Sequence, residues 1–136
     1  MTETHAPGHD RPLTVGVCTR DRQASLLRCL RSLRHVEGMV ERVFVADDAS
    51  AQPVEPVIRA ELGDDAARVT VLRAETGIGP TAGRNRISRE AATPFILYLD
   101  DDAALLSRDS IRAGLDVLRA DASVAAVAFA QADADG

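Results

Sequence analysis

The sequence predicts an α/β fold, a mostly parallel sheet with helices on both faces. Two observations lead there. Apolar runs of strand length alternate with segments of helical periodicity from residue 13 to residue 130. The runs are nearly continuous in apolar residues rather than alternately apolar and polar, as strands covered on both sides are. Right-handed crossovers wind such a chain into a doubly wound sheet, with ligands expected outside the carboxyl ends of the strands.

Leu13–Cys18 (LTVGVC) is short, apolar and β-branched, and reads as a buried strand. Asp21 is placed to cap the following helix. There Leu26, Leu30 and Leu33 recur at helical spacing, while Arg28, Arg31 and Arg34 take the solvated face. Arg42–Ala46 (RVFVA) is a second strand, ending at Asp47 and Asp48. After a loop rich in Ser, Gln and Pro, a weak helix covers Val54–Leu62 and is closed by Gly63. Arg68–Leu72 (RVTVL) is a third strand, followed by a glycine-containing loop over 75–83 and a helix over about 81–91. Phe95–Leu99 (FILYL) is a fourth strand and runs into Asp100, Asp101 and Asp102. Ser107 is placed to cap a helix through Arg119 with Ile111, Leu115 and Leu118 inward. Val124–Ala130 (VAAVAFA) is a fifth apolar run, read as a strand. One domain body over 13–130 is expected, with a flexible tail at 1–12 and a small polar tail at 131–136.

Composition narrows the function. Acidic residues outnumber basic ones 21 to 16, a net charge of −5, which repels a phosphate backbone. Aromatics are 3% with no Trp, too few for stacking platforms, so no nucleic-acid partner is expected. All sixteen basic residues are Arg. Without Lys, a Walker phosphate loop, a receiver domain and a haloacid-dehalogenase-type phosphatase cannot be assembled in their usual form. No apolar run approaches the roughly 20 residues that cross a bilayer. Met1–Arg11 has no apolar core and resembles neither a signal nor a transit peptide, so a cytoplasmic protein is expected. Cys18 and Cys29 lack CxxC spacing or a His-rich cluster and read as buried free thiols; His5 and His9 fall in the tail.

The acids carry the chemistry. Asp47-Asp48 and Asp100-Asp101-Asp102 close two strands at the edge where such sheets bind ligands, and Thr19 follows the first strand at the same edge. In an extended segment Asp100 and Asp102 face one pocket and Asp101 another way. Neighbouring carboxylates repel by about 1 kcal/mol at 4 Å in water and several-fold more when partly buried. A divalent cation, Mg²⁺ or Mn²⁺, is the natural counterweight and also holds phosphate oxygens. The alternative is a solvated acidic turn; the position after FILYL favours the site. Gly77 and Gly79 do not complete GxGxxG, because position 82 is Ala. They read either as turn glycines or as part of a helix start whose amides meet an anion, with Arg84 close enough to pair with phosphate.

Five stretches in register, VGVCTRDR (15–22), LLRCLRSL (26–33), VFVADDAS (43–50), GIGPTAGRN (77–85) and FILYLDDDA (95–103), together resemble glycosyltransferase family two of the GT-A superfamily. The resemblance covers about 13–130 and implies a GT-A-like, Rossmann-like sheet. The family's PTYNR-like first motif is replaced by CTRDR, which keeps Thr19 and Arg22 and loses the aromatic.

The resemblance implies a nucleotide-sugar site. Thr19 and Asp48 would contact the nucleobase and ribose, with a carboxylate at Asp48 favouring the imide of a UDP- or dTDP-sugar. Arg84 would touch the base or diphosphate, and Arg22, Asp47, Gly77, Gly79 and Asp101 would complete the set. Asp100 and Asp102 would form the DxD motif, Asp102 as direct metal ligand and Asp100 on ribose or a metal-bound water. The expected reaction is metal-dependent, inverting transfer to an acceptor hydroxyl. A full domain of this kind runs to roughly 200–250 residues. The general base is therefore expected beyond the C-terminus, in a chain that is a fragment, a split product or a remnant. A homo-oligomer or second chain is expected to complete the domain. The alternative is a non-catalytic nucleotide or nucleotide-sugar binding module.

Overall fold

The structure, a computed structural model, describes residues 11–133. The expected tails, with His5 and His9, lie mostly outside these residues. The chain divides into two compact units, Met1–Leu105 and Leu106–Gly136.

The first unit carries strands β1 (Leu13–Thr19), β2 (Val40–Asp48), β3 (Val69–Ala74) and β4 (Phe95–Asp100). Between them lie helices α1 (Gln23–Ser32), α2 (Val54–Leu62) and α3 (Gly79–Glu90), with short 3₁₀ turns after α1 and α2. The sheet order is β3-β2-β1-β4 and every pairing is parallel, as the unbroken apolar runs predict. Register aligns the strand ends: Thr19 lies opposite Asp47, and Cys18 opposite both Ala46 and Asp100.

Both sheet faces are covered. On one, Phe44, Ala46, Cys18, Leu72 and Tyr98 pack with Ile87 of α3. Close approach is possible because a Cβ at Gly16 would lie 2.9 Å from the Tyr98 ring, and one at Gly83 of α3 would lie 3.0 Å from Cys18 Sγ. On the other face Val15, Val17, Val43 and Val45 are buried, as are the apolar sides of α1 and α2 (Leu26, Leu30, Val54, Ile58). Burial of side chains of this size contributes about 1.5–3 kcal/mol each.

The second unit contains α4 (Arg108–Ala120). The expected fifth strand at Val124–Ala130 is not formed: the segment has no regular secondary structure. Four of its seven residues are Ala, a weak strand former. Its larger side chains instead turn back onto the helix, Phe129 and Val127 packing at Gly114.

Three local expectations change. Asp21 does not cap α1; Arg22 is the N-cap, without a side-chain bond. Asp21 sits at φ 54° and its carboxylate accepts the Ala51 amide at 2.7 Å, tying the β1 and β2 loops together. Helix α3 begins at Gly79, two residues before the expected start, because Pro80 fits its first turn. Ser107 stands at the N-cap of α4 but makes no side-chain cap bond.

Candidate functional site

The carboxyl ends of β1, β2 and β4 share one edge. Asp100 is level with Ala46 across β1, so Asp48 stands two strands away from it and two residues further along. Along that edge a cavity of about 210 Å³ is lined by Cys18, Arg22, Pro80, Arg84, Leu99 and residues Asp100, Asp101 and Asp102.

The aspartate run divides by exposure. Asp100 and Asp102 keep 65% and 60% of their side chains exposed, against 9% for Asp101. Asp101 accepts the Thr19 hydroxyl at 2.9 Å and Arg22 Nη1 at 3.4 Å. Arg22 also lies 3.7 Å from Asp102, and Arg84 Nη2 lies 3.5 Å from Asp100. The strand ends at Asp100, and Asp101 and Asp102 form a turn closed by the Ala103 amide on the Asp100 carbonyl at 3.0 Å. Arg84 is further steadied over the Tyr98 ring, 5.7 Å from its centroid, while the Tyr98 hydroxyl donates to the Arg84 carbonyl at 3.1 Å.

The β2 tip is built differently. Asp47, expected at the nucleotide-sugar, is turned inside and is 1% exposed. Its carboxylate accepts the Ser50 amide at 3.1 Å, the Val54 amide at 3.2 Å and Arg73 Nη1 at 2.7 Å. Burial pushes its pKa up, but the bonds from Ser50, Val54 and Arg73 outweigh that and hold it below the usual 3.8. Asp48 points the other way, as strand alternation requires, and accepts the amides of Ile78 and Gly79 at 2.6 and 3.1 Å. Neither α2 nor α3 has a side-chain cap from its own N-cap residue. The two aspartates therefore cap two different helices from a distance.

The same aspartate holds the glycine loop. Gly79 adopts φ 81°, a conformation suited to glycine. Its amide donates to Asp48. At Gly77 a Cβ would lie 2.7 Å from Arg20 Nη1, the far end of an exposed, flexible side chain that can shift aside.

The structure thus brings Thr19, Arg22, Arg84 and Asp100–Asp102 together, with Asp48 and the Gly77–Gly79 loop beside them. A larger hollow of about 480 Å³ beside α2 and β3 holds Asp47 and Arg73 but none of the three cavity aspartates. Sequence reasoning missed Cys18, Pro80 and Leu99 in the cavity and Arg73 as the partner of Asp47. Counting Cys18 in register with Asp100 would have found the first. Burial, then the charges of Asp48, Asp100 and Asp101, push the Cys18 thiol pKa up against the pull of Arg84. Among the described residues no cluster of three or more His, Cys, Asp or Glu is arranged to hold a metal ion. Nor is any described helix long and apolar enough to cross a membrane.

The sequence profile of the family described as Glycosyl transferase family 2 matches residues 14–136. The GalNAc(5)-diNAcBac-PP-undecaprenol beta-1,3-glucosyltransferase of Campylobacter jejuni is 30% identical over 95 residues, covering 70% of this chain and 31% of its own length. Among solved structures, S. aureus TarS in complex with UDP superposes with a TM-score of 0.63 at 22% identity, over 79% of this chain and 32% of that one. Mannosyltransferase PcManGT from Pyrobaculum calidifontis, in complex with GDP-Man and Mn²⁺, gives 0.65 at 22% identity, over 82% and 33%. The chain spans about a third of the length of each of these relatives. The superpositions agree with the GT-A-like fold that the sequence resemblance implied.

Proposed function

We propose that this chain, which belongs to glycosyl transferase family 2, forms the donor half of a metal-dependent, inverting glycosyltransferase acting on a nucleotide-sugar. The observation that carries this reading is the pair of exposed carboxylates, Asp100 and Asp102, beside a cavity that also holds Arg22 and Arg84. The donor set fits a hard divalent cation: two accessible carboxylates, open to solvent, and no soft ligand required. Asp102 would hold the ion directly and Asp100 would reach it through water or bind ribose. When bound, the cation supplies neutralisation of the charge on the leaving nucleoside diphosphate.

The chain's own residues do the rest. Arg84, beside Asp100, and Arg22, beside Asp101 and Asp102, would offer guanidinium donors to the diphosphate. Asp48, held at the α3 start, keeps acceptor capacity toward the imide of a uracil or thymine base. The PcManGT complex contains GDP-Man and Mn²⁺ and the TarS complex UDP, which supports a cation-bridged nucleoside diphosphate as the ligand class. No residue of the chain is assigned as general base. A second copy or another chain that supplies it belongs to the same proposal, and a clean monomer at high concentration in sedimentation counts against that part. A cytoplasmic location is proposed with it.

The test is a UDP titration with and without Mn²⁺. Metal-dependent binding that disappears in Asp102→Ala supports the donor site, and equal binding in both proteins sinks it. Turnover with a UDP-sugar distinguishes the enzyme from a binding module.

A further inference from the structure

We propose that Thr19 is a positioning residue, whose hydroxyl latches the buried carboxylate of Asp101 and thereby sets Asp100 and Asp102 for the cation. This rests on the donor-site reading above and assigns Thr19 a part other than base contact. The backbone ladder between β1 and β4 ends at the Cys18–Asp100 pair. One step further the two chains are joined by side chains, Thr19 to Asp101 at 2.9 Å. Thr19 is 4% exposed and Asp101 7%, so both face the interior.

Three adjacent carboxylates repel one another and push the turn open. The Thr19 hydroxyl, reinforced by Arg22 at 3.4 Å, counters this at the middle residue. With Asp101 drawn inward, Asp100 and Asp102 remain on the exposed side of the turn. The arrangement is that of an outer partner that orients ligands it does not join. Serine can make the same bond. Valine, of equal shape, cannot.

The experiment uses the 136-residue chain with Thr19→Val and Thr19→Ser. The first readout needs no ligand: hydrogen exchange of the Ala103 amide, which closes the turn. It accelerates about tenfold or more in Thr19→Val, with the Leu97 amide unchanged, and stays near wild type in Thr19→Ser. The second is Mn²⁺ affinity in the presence of UDP. It falls about tenfold or more in Thr19→Val and recovers in Thr19→Ser. Unchanged exchange and affinity in Thr19→Val overturn the latch while leaving the donor site standing. A wild-type chain that binds no Mn²⁺–UDP overturns the donor site and with it any role in setting it. Asp101→Ala, which removes the acceptor of the Thr19 hydroxyl, carries both readouts should Thr19→Val not fold. Wild-type values there overturn the latch as well.

Discussion

Asp48, at the tip of β2, accepts the backbone amide of Gly79 at 3.1 Å, 31 residues further along the chain. With the Ile78 amide at 2.6 Å, this makes one carboxylate the cap of α3 and the anchor of the loop beside the cavity. Asp48→Ala leaves both amides without that partner and is expected to cost about 1–2 kcal/mol, the range for a lost helix cap. Urea denaturation measures it. An unchanged midpoint would mean that α3 does not depend on this bond.

Its neighbour Asp47 makes stability depend on pH. The folded-state pKa is lowered, so the stabilisation is whole above the unfolded value of 3.8 and is lost as pH falls through the folded one. Asp47→Asn removes the charge that Arg73 meets at 2.7 Å and should cost on the order of 3 kcal/mol near neutral pH. Urea midpoints for both proteins, followed down to about pH 3, should converge in acid. A gap that stays constant over that range argues against the assignment.

Gly16 is where the sheet admits the Tyr98 ring. A methyl group there would lie 2.9 Å from Tyr98 and 3.0 Å from Ile87 Cγ2. Gly16→Ala is expected to destabilise by about 1–3 kcal/mol through overpacking. A melting temperature equal to wild type would show that the face between β1 and α3 is looser than this contact implies.

The two thiols should separate by reactivity. Burial above all, then Asp101, Asp102 and Asp100, push Cys29 up to about 12, and it is fully buried. Cys18 is only partly buried and lines the cavity. Iodoacetamide at about pH 8 should label Cys18 slowly and spare Cys29 until the chain unfolds. Mn²⁺–UDP should slow the Cys18 reaction further. Mass spectrometry that finds Cys29 modified first in the native chain contradicts this ordering.

Much of the fold could be read without coordinates, because its determinants are local. Apolar runs at Leu13, Val43, Val69 and Phe95 formed strands, and the periodic segments between them formed helices. Periodicity records which residues can share a face, so it also put the acids at strand tips. It does not record what lies opposite. VAAVAFA is as apolar as a strand, yet its Phe129 and Val127 found Gly114 instead of a ladder. Likewise five aspartates at one edge are chemically alike in the sequence. Arg73 and Val54 drew Asp47 inside, and Thr19 and Arg22 drew Asp101 in. Asp48 was left to hold a helix, and Asp100 and Asp102 to face the cavity. Those assignments depend on partners up to 82 residues away along the chain, which become neighbours through the folded sheet.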